Sequence, residues 1–207
     1  MPSTDKPSDP ARRAQILAAA EKLFRHYGPQ KTTINDIARE AEIGVGSVYL
    51  EFCSKEEIVG ELASRRHDRV LSAMRAAASK GKIADRLSAA LEARVEALFA
   101  LSAEGAHACD LVLCSKTSVK TAYGRFRNEE LGFVAELLAE GEKSGELELA
   151  DSDAGETAEL IQRAFATFSP PWIFEQDRRQ VLRKVRAMSK LLLVGLLARP
   201  VQRRQRP

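Results

Sequence analysis

The residues of this chain best suited to chemistry lie between Val45 and Phe52, and that chemistry is recognition rather than bond breaking. Val45, Gly46 and Ser47 are small, and small side chains let a helix backbone approach a nucleic-acid groove. Val48 and Phe52, four apart, share one helical face and point to a core. Val45, Ser47, Tyr49 and Leu50 are left facing outward. Such a surface is poor material for a solvated helix. It suits thymine methyls, which take apolar contacts, and phosphate oxygens, which take hydroxyl donors. A reaction centre has no comparable support. The sequence carries no glycine-rich phosphate loop, no carboxylate–histidine metal motif and no serine in a nucleophile elbow. His26, His67 and His107 are scattered, and His107, Cys109 and Cys114 match no common zinc spacing. Neither an enzyme nor a cofactor or metal is expected.

Short helices must position that surface. Asp9 and Pro10 suit the N-cap and first turn of a helix. Its inner face is Ile16, Leu17, Ala20, Leu23, Phe24 and Tyr27, and Gly28-Pro29 ends it. Thr33, with Asp36 three residues on, can cap a second helix with Ile34, Ile37, Ala38 and Ala41 inside. A tight turn at Ile43-Gly44 leads to a third helix over 45–52, and Ser54-Lys55-Glu56-Glu57 opens a fourth, reaching about Ser79. Two short helices joined this way make a helix-turn-helix.

Over about Arg12 to Leu62 the sequence resembles the TetR family of one-component transcriptional regulators. The resemblance rests on Ile16-Leu17-x-Ala19-Ala20-x-x-Leu23-Phe24-x-x-x-Gly28 and Thr33-Ile34-x-x-Ile37-Ala38. It continues through Gly46-Ser47-Val48-Tyr49-x-x-Phe52 and Ser54-Lys55-Glu56-Glu57. It implies that Thr33 caps its helix and touches a phosphate, that Val45, Gly46 and Ser47 lie at the groove, and that Leu50 meets base methyls. Tyr49 would place its hydroxyl on a phosphate, and Lys55 would grip another at the positive end of the following helix. Repression by occupancy of a palindromic operator, relieved by a small molecule, is the implied mechanism. Glu42 stands where the family often has glycine, Glu51 where it often has an aromatic residue or histidine, and Cys53 where a basic residue or proline is common. A carboxylate beside DNA is repelled by phosphate, so Glu51 is expected to act as a negative determinant of binding.

The rest of the chain reads as further helices, at about 83–101, 107–114, 122–143, 153–168 and 178–197, with no strand and no internal repeat. The expected fold is all-α, an N-terminal three-helix helix-turn-helix domain followed by a larger helical ligand-binding and dimerisation domain. Its expected divisions are a disordered tail at 1–9, the DNA-binding domain at 10–56, the regulatory domain at 57–199 and a basic tail at 200–207. Aromatic residues are few, and Tyr123, Phe126, Phe165, Phe168 and Trp172 are the candidates to line a cavity for an apolar or aromatic molecule. The last helix is apolar nearly all round from Leu191, so it needs cover on both sides. A homodimer is expected through Leu160, Ile161, Phe165, Met188, Leu192, Leu193 and Leu196.

The net charge of +3 conceals a skew of about −1 over 1–60, −6 over 61–177 and +10 over 178–207. Any attraction of the N-terminal region to DNA must therefore come from the placement of charges rather than their excess. No apolar run is long enough to span a bilayer and no signal peptide is recognisable, so a cytoplasmic location is expected. Three cysteines without framework spacing fit reduced thiols. A reading from another class, a helical module whose short-helix surface binds protein, stays open, as does a constitutive or activating regulator.

Overall fold

In the computed structural model, residues 9–104, 107, 117–149 and 152–197 are described. Apart from Asp9 and His107, the expected tails and the helix at 107–114, with Cys109 and Cys114, lie outside them.

The Asp9 carboxylate accepts from the N–H groups of Ala11 and Arg12, and with Pro10 in the first turn it starts α1, Pro10–Lys31. At Gly28 the backbone turns to φ 76°, ψ 157°, a conformation open to glycine, so the last turn of α1 sits beyond a break. Thr33 and Asp36 form a reciprocal capping box on α2, Ile34–Glu40. Next comes α3, Val45–Glu51. The Ser54 hydroxyl accepts from the Glu57 N–H at the start of α4, Lys55–Ala77, while the Glu57 carboxylate accepts from the Cys53 N–H. The remaining helices are α5, Ile83–Ser102; α6, Thr117–Ser144; α7, Ala154–Ala164, running into a 3₁₀ turn at Phe165–Phe168; and α8, Arg178–Leu196. α6 begins five residues earlier than the sequence pattern suggested, and the expected helix over 153–168 tightens at Phe165. Among the described residues the only β pairing is a bridge between Leu147 and Leu197.

Two compact units emerge, and their boundary is not at residue 56. One takes the described residues of Met1–Arg69 and Ala100–Phe126; the other takes those of Val70–Phe99 and Arg127–Pro207. The helices α4, α5 and α6 each contribute to both.

In the first unit Ile16, Leu17, Ala20 and Phe24 of α1 pack with Ile37 and Ala38 of α2, with Val48 of α3 and Phe52 just past its end, with Ile58, Val59 and Leu62 of α4, and with Val119 and Ala122 of α6. Beside this core Arg66 is buried, with Glu104 at 3.5 Å and Glu21 at 3.7 Å. Burial pushes its guanidinium below the usual arginine range, and the two carboxylates push back. In the second unit Arg94 and Glu130 are a buried ion pair. Arg94 also donates to the Phe168 carbonyl at 3.2 Å and the Ser169 hydroxyl at 2.9 Å, and Gln162 donates to Glu130. A buried pair costs desolvation, and these additional bonds offset it.

Candidate nucleic-acid interface

The turn of the helix-turn-helix is built on hydrogen bonds that end α2. The Ile43 N–H donates to the Ala38 carbonyl at 3.0 Å and the Glu42 N–H to that of Arg39 at 3.1 Å, the two bonds of a Schellman motif. This motif needs left-handed backbone at its fifth position, and Glu42 supplies it at φ 53°. The same motif closes α6 with Gly145 in that slot, at φ 74°. Glu42 thus holds a backbone state that favours glycine, the residue from which it departs at this position.

Beyond the turn, α3 is held by Val48, and by Phe52 at its C-cap, both fully buried. Its other side is open. Tyr49 and Leu50 are 54% and 52% exposed, Val45 is exposed and Ser47 is half-buried. A methyl group on Gly46 would meet nothing within 4 Å, and its φ is not positive, so the fold itself makes no demand for glycine there. Large apolar and aromatic groups on one turn, with a bare backbone beside them, can receive a surface that brings methyl groups and phosphate oxygens together.

Thr33 and Lys55 lie at the ends of neighbouring helices, and both are already engaged. The Thr33 hydroxyl bonds the Asp36 carboxylate at 2.6 Å and its N–H donates to the same carboxylate at 3.0 Å. These bonds hold the Asp36 carboxyl below its ordinary range, the Thr33 hydroxyl contributing most. The Lys55 ammonium donates to the carbonyl oxygens of Pro29 and Thr32. An ammonium has three donors, so one remains for another partner.

Glu51 requires a correction. It does not face outward beside the groove: its side chain is buried and paired with Arg12. Arg12 Nε donates to its Oε1 at 2.8 Å and the Asp9 N–H at 3.1 Å. Arg13 donates to the Glu51 backbone carbonyl at 2.8 Å and lies 4.0 Å above the centre of the Phe52 ring. Nothing in the local pattern of α3 announced this, because the partners sit 38 to 42 positions earlier in the chain.

The aromatic residues expected to line a cavity are divided between the two units. In the first unit Phe126 stacks on His67 with ring centres 5.0 Å apart, and Tyr123 lies 5.9 Å from the same imidazole. In the second unit Phe165 and Phe168 are buried against each other at 5.5 Å. Trp172 is 64% exposed. A cleft of about 440 Å³ in the second unit is lined by small and acidic residues of α5, among them Ser88, Ala89, Glu92 and Glu96, with none of these aromatics on its wall.

The residues expected at a dimer contact divide as well. Ile161, Phe165 and Leu193 are buried within their own chain. Met188, Leu192 and Leu196 are half-buried, and Leu160 is exposed. The apolar groups left bare on α8 are Leu191 and Val194, with Leu197 just past its end.

Residues 16–62 match the family described as bacterial regulatory proteins, tetR family. The HTH-type transcriptional repressor KstR2 of Mycolicibacterium smegmatis is 46% identical over 59 residues, 28% of this chain and 29% of its own. The curated relatives matched are covered over only 21% to 34% of their length. Whole-chain likeness comes from solved structures. A transcriptional regulator of the TetR/AcrR family from Thermobifida fusca is 26% identical with a TM-score of 0.67, covering 89% of this chain and 98% of that one. FadR from Bacillus subtilis, crystallised in complex with stearoyl-CoA, shares the fold at 19% identity and a TM-score of 0.66, covering 88% and 98%. Among the described residues no helix is long and apolar enough to cross a membrane. Residues 16–62 therefore carry an N-terminal domain of the tetR family of bacterial regulatory proteins, and the all-helical fold of the chain is shared across most of its length with a solved regulator of that family.

Proposed function

We propose that the protein is a transcriptional regulator that binds double-stranded DNA through α3 and acts as a repressor. The observation that carries this reading is the open face of α3, where Tyr49 and Leu50 stand exposed beside a glycine the fold does not need. The name repressor, borne by KstR2, which is 46% identical over 59 residues, supports it. In this reading Tyr49, Lys55 and Thr33 hold phosphates, and Val45, Gly46, Ser47 and Leu50 meet the groove. The protein works as a homodimer in the cytoplasm. Its second copy covers Leu160, Leu191, Val194 and Leu197, apolar side chains that water would otherwise surround. A two-fold axis then presents two copies of α3 to a palindromic operator, about one helical turn of DNA or slightly more apart.

Release by an apolar or aromatic small molecule completes the proposal. The support is the fold shared with FadR, which was crystallised with stearoyl-CoA. Such a molecule must bind the DNA-free state better than the DNA-bound one, since equal affinity shifts nothing.

The test is selection of DNA from a random-sequence pool, followed by gel-shift titration at several salt concentrations. Saturable binding to a sequence with symmetric halves, weakening steeply with salt, is the expected result. A protein that enriches no sequence, while its α3 surface captures another protein, is an interaction module instead.

A further inference from the structure

We propose that Glu51 is a positioning residue for DNA reading: through Arg12 it fixes the roll of α3 about its own axis. The inference rests on α3 being the recognition helix. Its starting point is how little else holds this helix. α3 has seven residues, and its anchors in the core are Val48 and Phe52. Residues four apart lie nearly on one line along a helix, since each position turns by about 100°. Two anchors on one line resist tilting and sliding but leave a hinge for roll. Roll is the motion that matters here, because a few degrees move Tyr49 and Leu50 across the groove floor.

Glu51 lies off that line. It sits about 100° around the helix from Phe52, on the flank opposite Tyr49. Its carboxylate is buried and takes the Arg12 guanidinium and the Asp9 N–H, so it is tied to the first turn of α1 from two directions. A second strap runs alongside: Arg13 donates to the Glu51 carbonyl and lies over the Phe52 ring, while its guanidinium is also 3.4 Å from Glu61 and 3.8 Å from Glu57 of α4. One end of α3 is therefore fastened to α1 by charge-assisted hydrogen bonds, whose direction constrains rotation where apolar packing does not.

A roll-lock has a different signature from a general stabilising contact. Loss of the lock lets α3 sample several orientations over DNA. Binding to the correct site then weakens because few of those orientations match it. Binding to random DNA, which depends on phosphate attraction, changes little. The experiment uses the full chain and the DNA that the wild-type protein selects from a random pool. Affinity for that DNA and for scrambled duplex is measured at one salt concentration, far below the melting temperature, for wild type, Glu51→Gln, Arg12→Gln and the exchange Arg12→Glu/Glu51→Arg. Both single variants are expected to lose tenfold or more for the selected site and less than threefold for scrambled duplex. The exchange should restore part of the lost ratio. Arg12→Gln, on the partly exposed partner, serves if Glu51→Gln does not fold. An unchanged ratio in folded variants overturns the proposal. So does a rise in affinity for both duplexes in Glu51→Gln, which would show that the carboxylate acts by repelling phosphate. If the wild type selects no sequence at all, it is the underlying reading of α3 that fails.

Discussion

The Lys55 ammonium lies 2.7 Å from the Thr32 carbonyl oxygen, and 2.8 Å from that of Pro29. The first residue of α4 therefore clips the turn between α1 and α2. A structural clip and a phosphate contact make different demands on one side chain. Lys55→Ala is expected to lower stability by about 1 kcal/mol, the value of bonds from a charged donor reduced for partial exposure. As a phosphate contact it would also flatten the dependence of log affinity on log salt by about one unit. Thermal melts read the first effect and gel shifts across a salt series the second. A lower melting temperature with an unchanged slope would leave Lys55 as a clip alone.

Gly46 should separate stability from binding. Its missing side chain has open space before it, and its backbone needs no glycine. Gly46→Ala is therefore expected to stabilise the protein by about 0.5–1 kcal/mol through helix propensity. The added methyl projects from the exposed side of α3, so affinity for the selected DNA should fall. Urea melts and gel shifts on one preparation check both. Unchanged affinity would mean that nothing approaches α3 at this point.

Glu42 occupies the left-handed slot of the Schellman turn at φ 53°. Relief of that strain by Glu42→Gly is worth about 1–2 kcal/mol, and the greater freedom of glycine in the unfolded chain takes back about 0.5–1. A net gain of up to about 1.5 kcal/mol is expected, visible as a raised midpoint in urea. Glu42→Val should shift the midpoint down, because a β-branched residue tolerates that conformation poorly.

The dimer contact needs variants chosen by exposure. Leu193 faces its own core, so Leu193→Glu buries a charge and should unfold the protein. Leu191 is 70% exposed. Leu191→Glu should keep the helical circular dichroism spectrum and shift the mass in solution from dimer to monomer at micromolar concentration. A wild-type monomer would remove the proposed self-association. A Leu191→Glu dimer would place the contact elsewhere.

Local signals in the sequence determined the helices and their order. Asp9-Pro10, Thr33 with Asp36, and Gly28-Pro29 act through bonds and dihedral limits spanning four residues or fewer, so they read directly from neighbouring letters. The open face of α3 was legible for the same reason: a helix of known phase with two core residues leaves the others outside. Buried charges left a fainter trace. Arg66 lies four residues after Leu62 and four before Val70; Arg94 stands likewise between Ala90 and Leu98, and Glu130 between Phe126 and Val134. Each interrupts an apolar face at helical spacing, which marks it as inside without naming its partner. Partners were the part that only tertiary structure decided. Glu51 looked like a carboxylate beside DNA until α1 came back across 39 residues to place Arg12 on it. That Phe126 and Phe165 fall in different compact units was likewise not written in any local pattern. Periodicity says which face of a helix is covered. The identity of the cover depends on contacts between distant segments, and those are set by how the helices close together in space.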